Sequence, residues 1–167
     1  MATENKNLSN YDKATIPNAK NFRFGIVVSE WNHEITEGMF QGAFDALKDC
    51  GALNDNIVRW NVPGSFELIY GCKRMQKSYD MLDAVIAIGS VIQGETKHFD
   101  YVCEGATQGI MTLMLTTQKP VGFGLITTLN HQQALERTGG NKLKSSGLGK
   151  SSANGPGKTE LFNSLVD

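Results

Sequence analysis

The sequence predicts a three-layer α/β/α fold built on a four-stranded parallel sheet. Four apolar, β-branched runs recur along the chain, and an amphipathic helical pattern follows each of them. Because βα units in series connect by right-handed crossovers, we expect parallel strands with helices on both faces. Such sheets bind ligands beyond the carboxyl ends of their strands, so chemistry is expected in the loops that follow the strands.

The first two βα units come directly after a polar N-terminal segment. A strand is predicted over Phe22–Val28, and Asn32 or Thr36 is expected to cap the helix after it. A second strand is predicted over Asp55–Val62 and ends at a Pro-Gly pair. The next helical face carries apolar residues at helical spacing. They are Phe66, Ile69, Cys72 and Met75.

The last two units complete the predicted sheet. Asp83–Gly89 is almost continuously apolar, which is typical of a strand buried on both faces. Pro120–Thr127 is the fourth strand, and Asn130 is expected to cap a short helix after it. Between them a helix is predicted from about His98 to Thr117. Its buried face would consist of Val102, Ala106, Ile110 and Leu113.

Composition divides the chain into three parts. Residues 1–21 are polar and lack an apolar signal core, so we expect an N-terminal arm; residues 22–138 form the α/β domain. Residues 139–167 are an atypical tail rich in Gly, Ser and Lys. The tail contains GLGKS and GPGKT, but Lys144 and Ser152 stand where a phosphate-binding loop needs its first glycine.

Overall composition excludes several classes of partner. The chain has 167 residues, 40% of them hydrophobic, and a formal net charge of −1, so a nucleic-acid role has no electrostatic support. No apolar run is long enough to span a membrane. The three cysteines are widely spaced and form no Cys-x-x-Cys pair, which favours a reduced, cytoplasmic location.

The loop before the third helix contains the strongest candidate for catalysis, His98. At a helix N-terminus the positive end of the dipole disfavours the imidazolium, so a neutral imidazole could accept and return a proton near pH 7. The alternative is a histidine that only caps the loop. The backbone N–H groups of Gly94, Glu95 and Thr96 suit an anion such as phosphate. The alternative is that the glycine only allows a turn. Arg137 could add a fixed charge, or be a solvated surface residue.

The other loops supply aromatic and polar groups. Trp31 could stack on a flat ring, and is equally well explained as a core or interface residue. Ser65, Phe66 and Glu67 could hold an amide- or hydroxyl-bearing ligand, although Glu67 alone could simply complement a helix N-terminus. Phe123 is expected in the core or a pocket wall. The remaining histidines have no partner at metal-ligand spacing, so no metal is expected.

Four separated motifs resemble those of lumazine synthases, in the same order along the chain. They are GIVVSEWN, VPGSFELI, IGSVIQGETKHFDYV and FGLITTLNHQQALER, within Phe22 to Arg137. The resemblance implies condensation of 5-amino-6-(ribitylamino)uracil with 3,4-dihydroxy-2-butanone 4-phosphate. The products are 6,7-dimethyl-8-ribityllumazine, phosphate and water, in the penultimate step of riboflavin biosynthesis. No cofactor is implied, because proximity and proton transfer carry the reaction.

The resemblance also implies a role for each motif position. His98 would be the proton carrier, and Trp31 would stack on the pyrimidine. The groups that hold the pyrimidine and its ribityl chain would be Ser65, Phe66, Glu67, Ser90, Val91, Ile92 and Phe123. The phosphate would be bound by Glu95, Thr96 and Arg137, with Lys142 as a further candidate.

Oligomerisation is implied as well. Members of this family assemble as pentamers, often as icosahedral shells, with pockets shared between subunits; Phe123 and Arg137 would come from the neighbouring subunit. Riboflavin synthase is an expected partner. The tail departs from the family, since Leu143 follows Gly140-Asn141-Lys142 where a glycine and a long Ala-rich helix belong. The alternatives are therefore a non-catalytic lumazine- or flavin-binding or shell-forming relative, and a generic flavodoxin-like binding domain.

Overall fold

The computed structural model describes residues 15–138, so most of the predicted arm and all of the tail, with Lys142, lie outside the described residues. Four βα units follow one another, as predicted. In chain order they are β1 (Phe24–Ser29), α1 (His33–Asp49), β2 (Ile57–Val62), α2 (Leu68–Ser78), β3 (Ala84–Ile92), α3 (His98–Thr117), β4 (Val121–Thr128) and α4 (His131–Arg137).

The four strands form one parallel sheet in the order β2-β1-β3-β4. Alternate side chains of each strand face opposite layers. On one face, α2 and α3 cover Val27, Val85 and Ala87. On the other face, Ile26 and Ile88 pack against α1. The predicted three-layer, flavodoxin-like architecture is confirmed.

Helix α4 completes the second layer. His131 at its start lies beside α1, with Nε2 3.7 Å from Glu34 Oε2. Asn130 caps α4 as predicted, because its Oδ1 accepts a hydrogen bond of 2.9 Å from the Gln133 N–H. The Gln133 side chain in turn accepts from the Leu129 N–H at 3.0 Å. These reciprocal bonds fix the direction in which α4 leaves the sheet.

Several predicted boundaries were wrong by a few residues. Strand β1 begins at Phe24, because the Phe22 N–H turns back to the Ala19 carbonyl. Strand β2 begins at Ile57, after a single 3-10 turn over Asn54–Asn56. Strand β3 continues past Gly89 to Ile92, because β4 provides backbone partners along its whole length.

Two further predictions, a helical position for Phe66 and a buried position for Val102, were also wrong. Helix α2 begins at Leu68, so Phe66 belongs to the turn before it and is exposed. Helix α3 has the predicted limits and buries Ala106, Ile110 and Leu113, whereas Val102 is only partly buried. Both positions lie near the carboxyl edge of the sheet, where the covering helices begin and the layers are open to solvent.

Candidate functional site

Backbone hydrogen bonds join the loops at the carboxyl edge of the sheet into one surface. The Glu30 N–H donates to the Val62 carbonyl at 2.8 Å, and the Trp31 N–H donates to Pro63 O at 3.1 Å. On the other side of β3, the Gln93 N–H donates to Thr128 O at 2.9 Å. The four loops that the sequence selected therefore lie side by side.

Two aromatic rings project from this edge. The Trp31 side chain is 72% exposed and that of Phe66 is 53% exposed. The Phe66 ring lies against α3 at Gly105, where an added β-carbon would come within 2.7 Å of it. Neither ring belongs to the core, so both are available to a flat ligand. For Trp31 this excludes the alternative of a core residue.

The carboxyl edge of the sheet also has buried hydroxyl side chains. Ser65 and Ser90 are both more than nine-tenths buried, and neither Oγ has a hydrogen-bond partner among the described residues. The same holds for Ser29 Oγ at the end of β1 and Thr128 Oγ1 at the end of β4. A buried polar group without a partner is costly, so unpaired hydroxyls concentrated at one edge indicate a place for a polar ligand or water. Ser29 and Thr128 were not predicted as site residues, although their position at strand ends was a usable signal.

His98 is the first residue of α3, as predicted, and its side chain is exposed. Its backbone N–H faces Thr96 Oγ1 at 3.4 Å, a long contact that leaves the helix N-terminus nearly unpartnered. Gly94, Glu95 and Thr96 before it are also exposed. The loop therefore has room for an anion beside a titratable imidazole.

The two residues expected from a neighbouring subunit lie apart from this loop. Phe123, on the edge strand β4, is 47% exposed rather than part of the core. Arg137 ends α4, is exposed, and donates from Nη1 to the Gln133 carbonyl of its own helix at 2.8 Å. In this chain the described contacts do not bring Arg137 to His98.

The structure also contains a contact that the sequence analysis missed. Asn32 was expected to cap α1, but its side chain makes no capping bond. Its Nδ2 instead donates to the Ser90 carbonyl at 3.0 Å. The available signal was an asparagine in the short loop after a buried strand, since this residue type adopts left-handed turns.

The described part of the chain has no group of three or more His, Cys, Asp or Glu side chains that could hold a metal ion. None of the described helices is both long and apolar enough to cross a membrane.

Comparison with known proteins identifies the family. A family model described as 6,7-dimethyl-8-ribityllumazine synthase matches residues 21–154. The chain is 68% identical to the 6,7-dimethyl-8-ribityllumazine synthase of Christiangramia forsetii over 140 residues, which are 84% of this chain and 83% of that protein. It is 66% identical to the enzyme of that name from Flavobacterium johnsoniae, over 84% of this chain and 73% of the other. The chain belongs to the 6,7-dimethyl-8-ribityllumazine synthase family.

Proposed function

We propose that this protein is an enzyme that condenses 5-amino-6-(D-ribitylamino)uracil with 3,4-dihydroxy-2-butanone 4-phosphate to give 6,7-dimethyl-8-ribityllumazine, phosphate and water. The observation that carries the proposal is the meeting of Trp31, Ser65, Ser90 and the His98 loop at one edge of the sheet. The names of relatives that are more than 60% identical support the same reaction.

In this proposal the pyrimidine lies on Trp31. The backbone of Ser90, Val91 and Ile92 contacts the edge of the ring, and the buried hydroxyls beneath it satisfy polar groups of the substrate. The ribityl chain extends over Ser65, Phe66 and Glu67. Stacking on an exposed indole needs no rearrangement of the core, which suits a site that must release a flat product.

Phosphate binds at the loop that precedes α3. Glu95 and Thr96 provide backbone N–H groups, and Arg137 of a neighbouring subunit provides the positive charge. The Arg137 side chain is free to do so, because the bond it makes here to the Gln133 carbonyl is an exposed contact within its own helix. Arg137, which is exposed to solvent in the single chain, thereby binds the phosphate of a substrate in the neighbouring subunit of the assembly.

His98 transfers protons between the two substrates. The amine attacks the ketone, and loss of water gives an imine; the proton lost from the carbon next to the imine carbon allows phosphate to leave. The enol that remains tautomerises to a ketone, and the ribityl-bearing amine attacks that carbonyl and closes the ring with loss of a second water. One exposed imidazole beside the phosphate can accept and return these protons, while binding at a single edge supplies the proximity.

The protein is proposed to act as a homo-oligomer, a pentamer or several pentamers. An exposed stripe on α3 supports self-association, with Tyr101, Met111 and Leu115 each more than half exposed. These positions are spaced by ten and four residues, so they fall within about 80° of one another around the helix axis, on one face. Large apolar side chains exposed on one helix face are suited to contact with another subunit.

Location and partner belong to the same proposal. Cys50, Cys72 and Cys103 are all unpaired, which supports a reducing, cytoplasmic location. Riboflavin synthase is proposed as the partner that consumes the product. Co-purification of the two proteins from cell extract tests that association. A Tyr101→Lys variant, which should weaken subunit contacts without unfolding the chain, shows whether the association requires the assembled protein.

The decisive experiment mixes purified full-length protein with both substrates. Lumazine absorbance and phosphate release should rise together in a one-to-one ratio, faster than in a protein-free control. Native mass measurement on the same sample gives the size of the assembly. A folded oligomer with no rate above the protein-free background would contradict the proposed activity, and lumazine binding without turnover would instead favour a non-catalytic relative.

A further inference from the structure

We propose that Asn32 is a positioning residue for the pyrimidine site. Its carboxamide holds the Ser90 carbonyl in place, and its left-handed backbone sets the direction of Trp31. Asn32 therefore acts through two groups that the proposed function assigns to the ring, and the inference rests on that function.

The first feature that supports this role is the unequal length of the strands. Strand β1 pairs with β3 only as far as Val28 opposite Ile88. Strand β4 continues to pair with β3 up to Ile92. On its β1 side, Ser90 thus lies beyond the paired region, and the Asn32 amide donates to its carbonyl at 3.0 Å. The Asn32 side chain thus replaces the backbone N–H donor that a longer β1 would have offered to the Ser90 carbonyl.

The second feature is the backbone conformation of Asn32 itself. Its φ of 60° and ψ of 47° lie in the left-handed region, which favours glycine and asparagine. Among the described residues, Gln118 is the only other non-glycine with positive φ, and it ends α3 in the ordinary way. Glycine at position 32 would fit this backbone but lack the amide. Aspartate would fit, but would place an oxygen against the Ser90 carbonyl.

The third feature is the connection between this turn and the Trp31 ring. Trp31 is mostly exposed, so few side-chain contacts hold the indole and its direction depends on the backbone. That backbone is held on the β2 side by the bond from the Trp31 N–H to Pro63 O. The Asn32 amide holds it on the β3 side. Loss of the amide therefore frees one end of the turn and the Ser90 carbonyl together.

The test compares Asn32→Gly and Asn32→Asp with the parent, and uses Gln118→Gly as a matched control at the other left-handed position. In Asn32→Gly the KM for the pyrimidine should rise about three- to tenfold, the range expected for loss of one hydrogen bond. The KM for the phosphorylated ketone should change less than about twofold. Gln118→Gly should leave both constants unchanged.

Asn32→Asp adds a readout that a purely structural role would not move. At about pH 7.5 the carboxylate should raise the pyrimidine KM more than glycine does, because two acceptors face each other. Towards about pH 5 the ratio of variant to parent KM should fall, since a protonated carboxyl group can donate to the Ser90 carbonyl. A ratio that stays constant over this range would contradict the proposed contact.

Parent-like pyrimidine KM in Asn32→Gly, or equal rises for both substrates, would overturn the proposal while leaving the enzymatic function intact. A parent without turnover would instead contradict the proposed function. In that case, titration with 6,7-dimethyl-8-ribityllumazine, followed by quenching of tryptophan fluorescence, decides the role of Asn32. Weaker binding by Asn32→Gly supports it, and equal or undetectable binding by both proteins overturns it.

Discussion

The Phe66 ring lies where α3 has no side chain, at Gly105. A β-carbon at Gly105 would come within 2.7 Å of Phe66 Cε2. Real β-carbons do not approach neighbouring atoms so closely, so the ring and a larger residue at 105 cannot both keep their places. The glycine therefore determines where an exposed aromatic of the candidate site rests, although it lies almost forty residues further along the chain.

Gly105→Ala should displace the Phe66 ring with little loss of stability. The ring is half exposed and can turn away, and alanine is favoured over glycine inside a helix by about 0.5–1 kcal/mol. The KM for the pyrimidine should rise by about two- to fivefold, the effect of a contact worth below 1 kcal/mol. Gly42→Ala in α1 is the control, because its added β-carbon would meet no atom within 4 Å apart from its chain neighbours and its own helix backbone. Unchanged kinetics in Gly105→Ala would show that Phe66 does not contact substrate.

His98→Asn should lower kcat on the order of 100-fold, the smaller end of the range for a proton-transferring side chain. Binding at one edge of the sheet still supplies proximity, so some acceleration should remain. Single-turnover measurement of lumazine formation separates this step from product release. His131→Asn is the matched control, as an exposed histidine at another helix N-terminus, with Nε2 3.7 Å from the Glu34 carboxylate. An equal loss in both variants would argue against proton transfer by His98.

Arg137→Ala should raise the KM for the phosphorylated ketone by about tenfold or more, since a charged hydrogen bond is worth about 1.5–3 kcal/mol. The KM for the pyrimidine should change much less. Arg137→Lys should recover part of the loss, because it keeps the charge without the paired N–H groups. Initial rates measured with each substrate varied in turn check this, and equal effects on both substrates would exclude the phosphate assignment.

The ion pair between Glu37 and Arg59 should make stability depend on pH. Arg59 donates two hydrogen bonds to the carboxylate, at 2.8 and 2.7 Å, and stacks on Phe40 at 4.1 Å from the ring centre. The hydrogen bond and charge of Arg59 lower the pKa of Glu37 below 4.5, although burial opposes them. The stabilisation is therefore complete above 4.5 and is lost as the pH falls through the lower pKa of the folded state.

Glu37→Gln should consequently lower the free energy of unfolding by about 0.5 kcal/mol at pH 7, a value discounted because the pair is partly exposed to solvent. The difference in unfolding free energy from the parent should shrink below about pH 4. Urea denaturation of both proteins, at pH 7 and again below about pH 4, measures this difference. Glu34→Gln is the control, since its side chain is 73% exposed and its partner is a histidine. A difference that is constant with pH would contradict an electrostatic origin.

Much of the fold could be predicted because helix limits and caps depend on residues that are close together in the chain. The apolar period of α3 gave the limits His98 and Thr117 as they are observed, and Asn130 was correctly expected to cap α4. Phe66 was misassigned for the opposite reason. Its helical spacing to Ile69 is real, but the turn after Pro63 delays the helix to Leu68.

The sequence by itself determined the parallel α/β class, the four loops in which chemistry was expected, and His98 at a helix N-terminus. Those properties depend on hydrophobic period and on residues adjacent in the chain. Only the tertiary structure decided the strand order β2-β1-β3-β4 and the support of Phe66 by Gly105. It also decided that Asn32 binds Ser90, because that contact exists only where β1 ends before β3. Each of these joins segments distant in sequence, so packing of the sheet and its helices determines them.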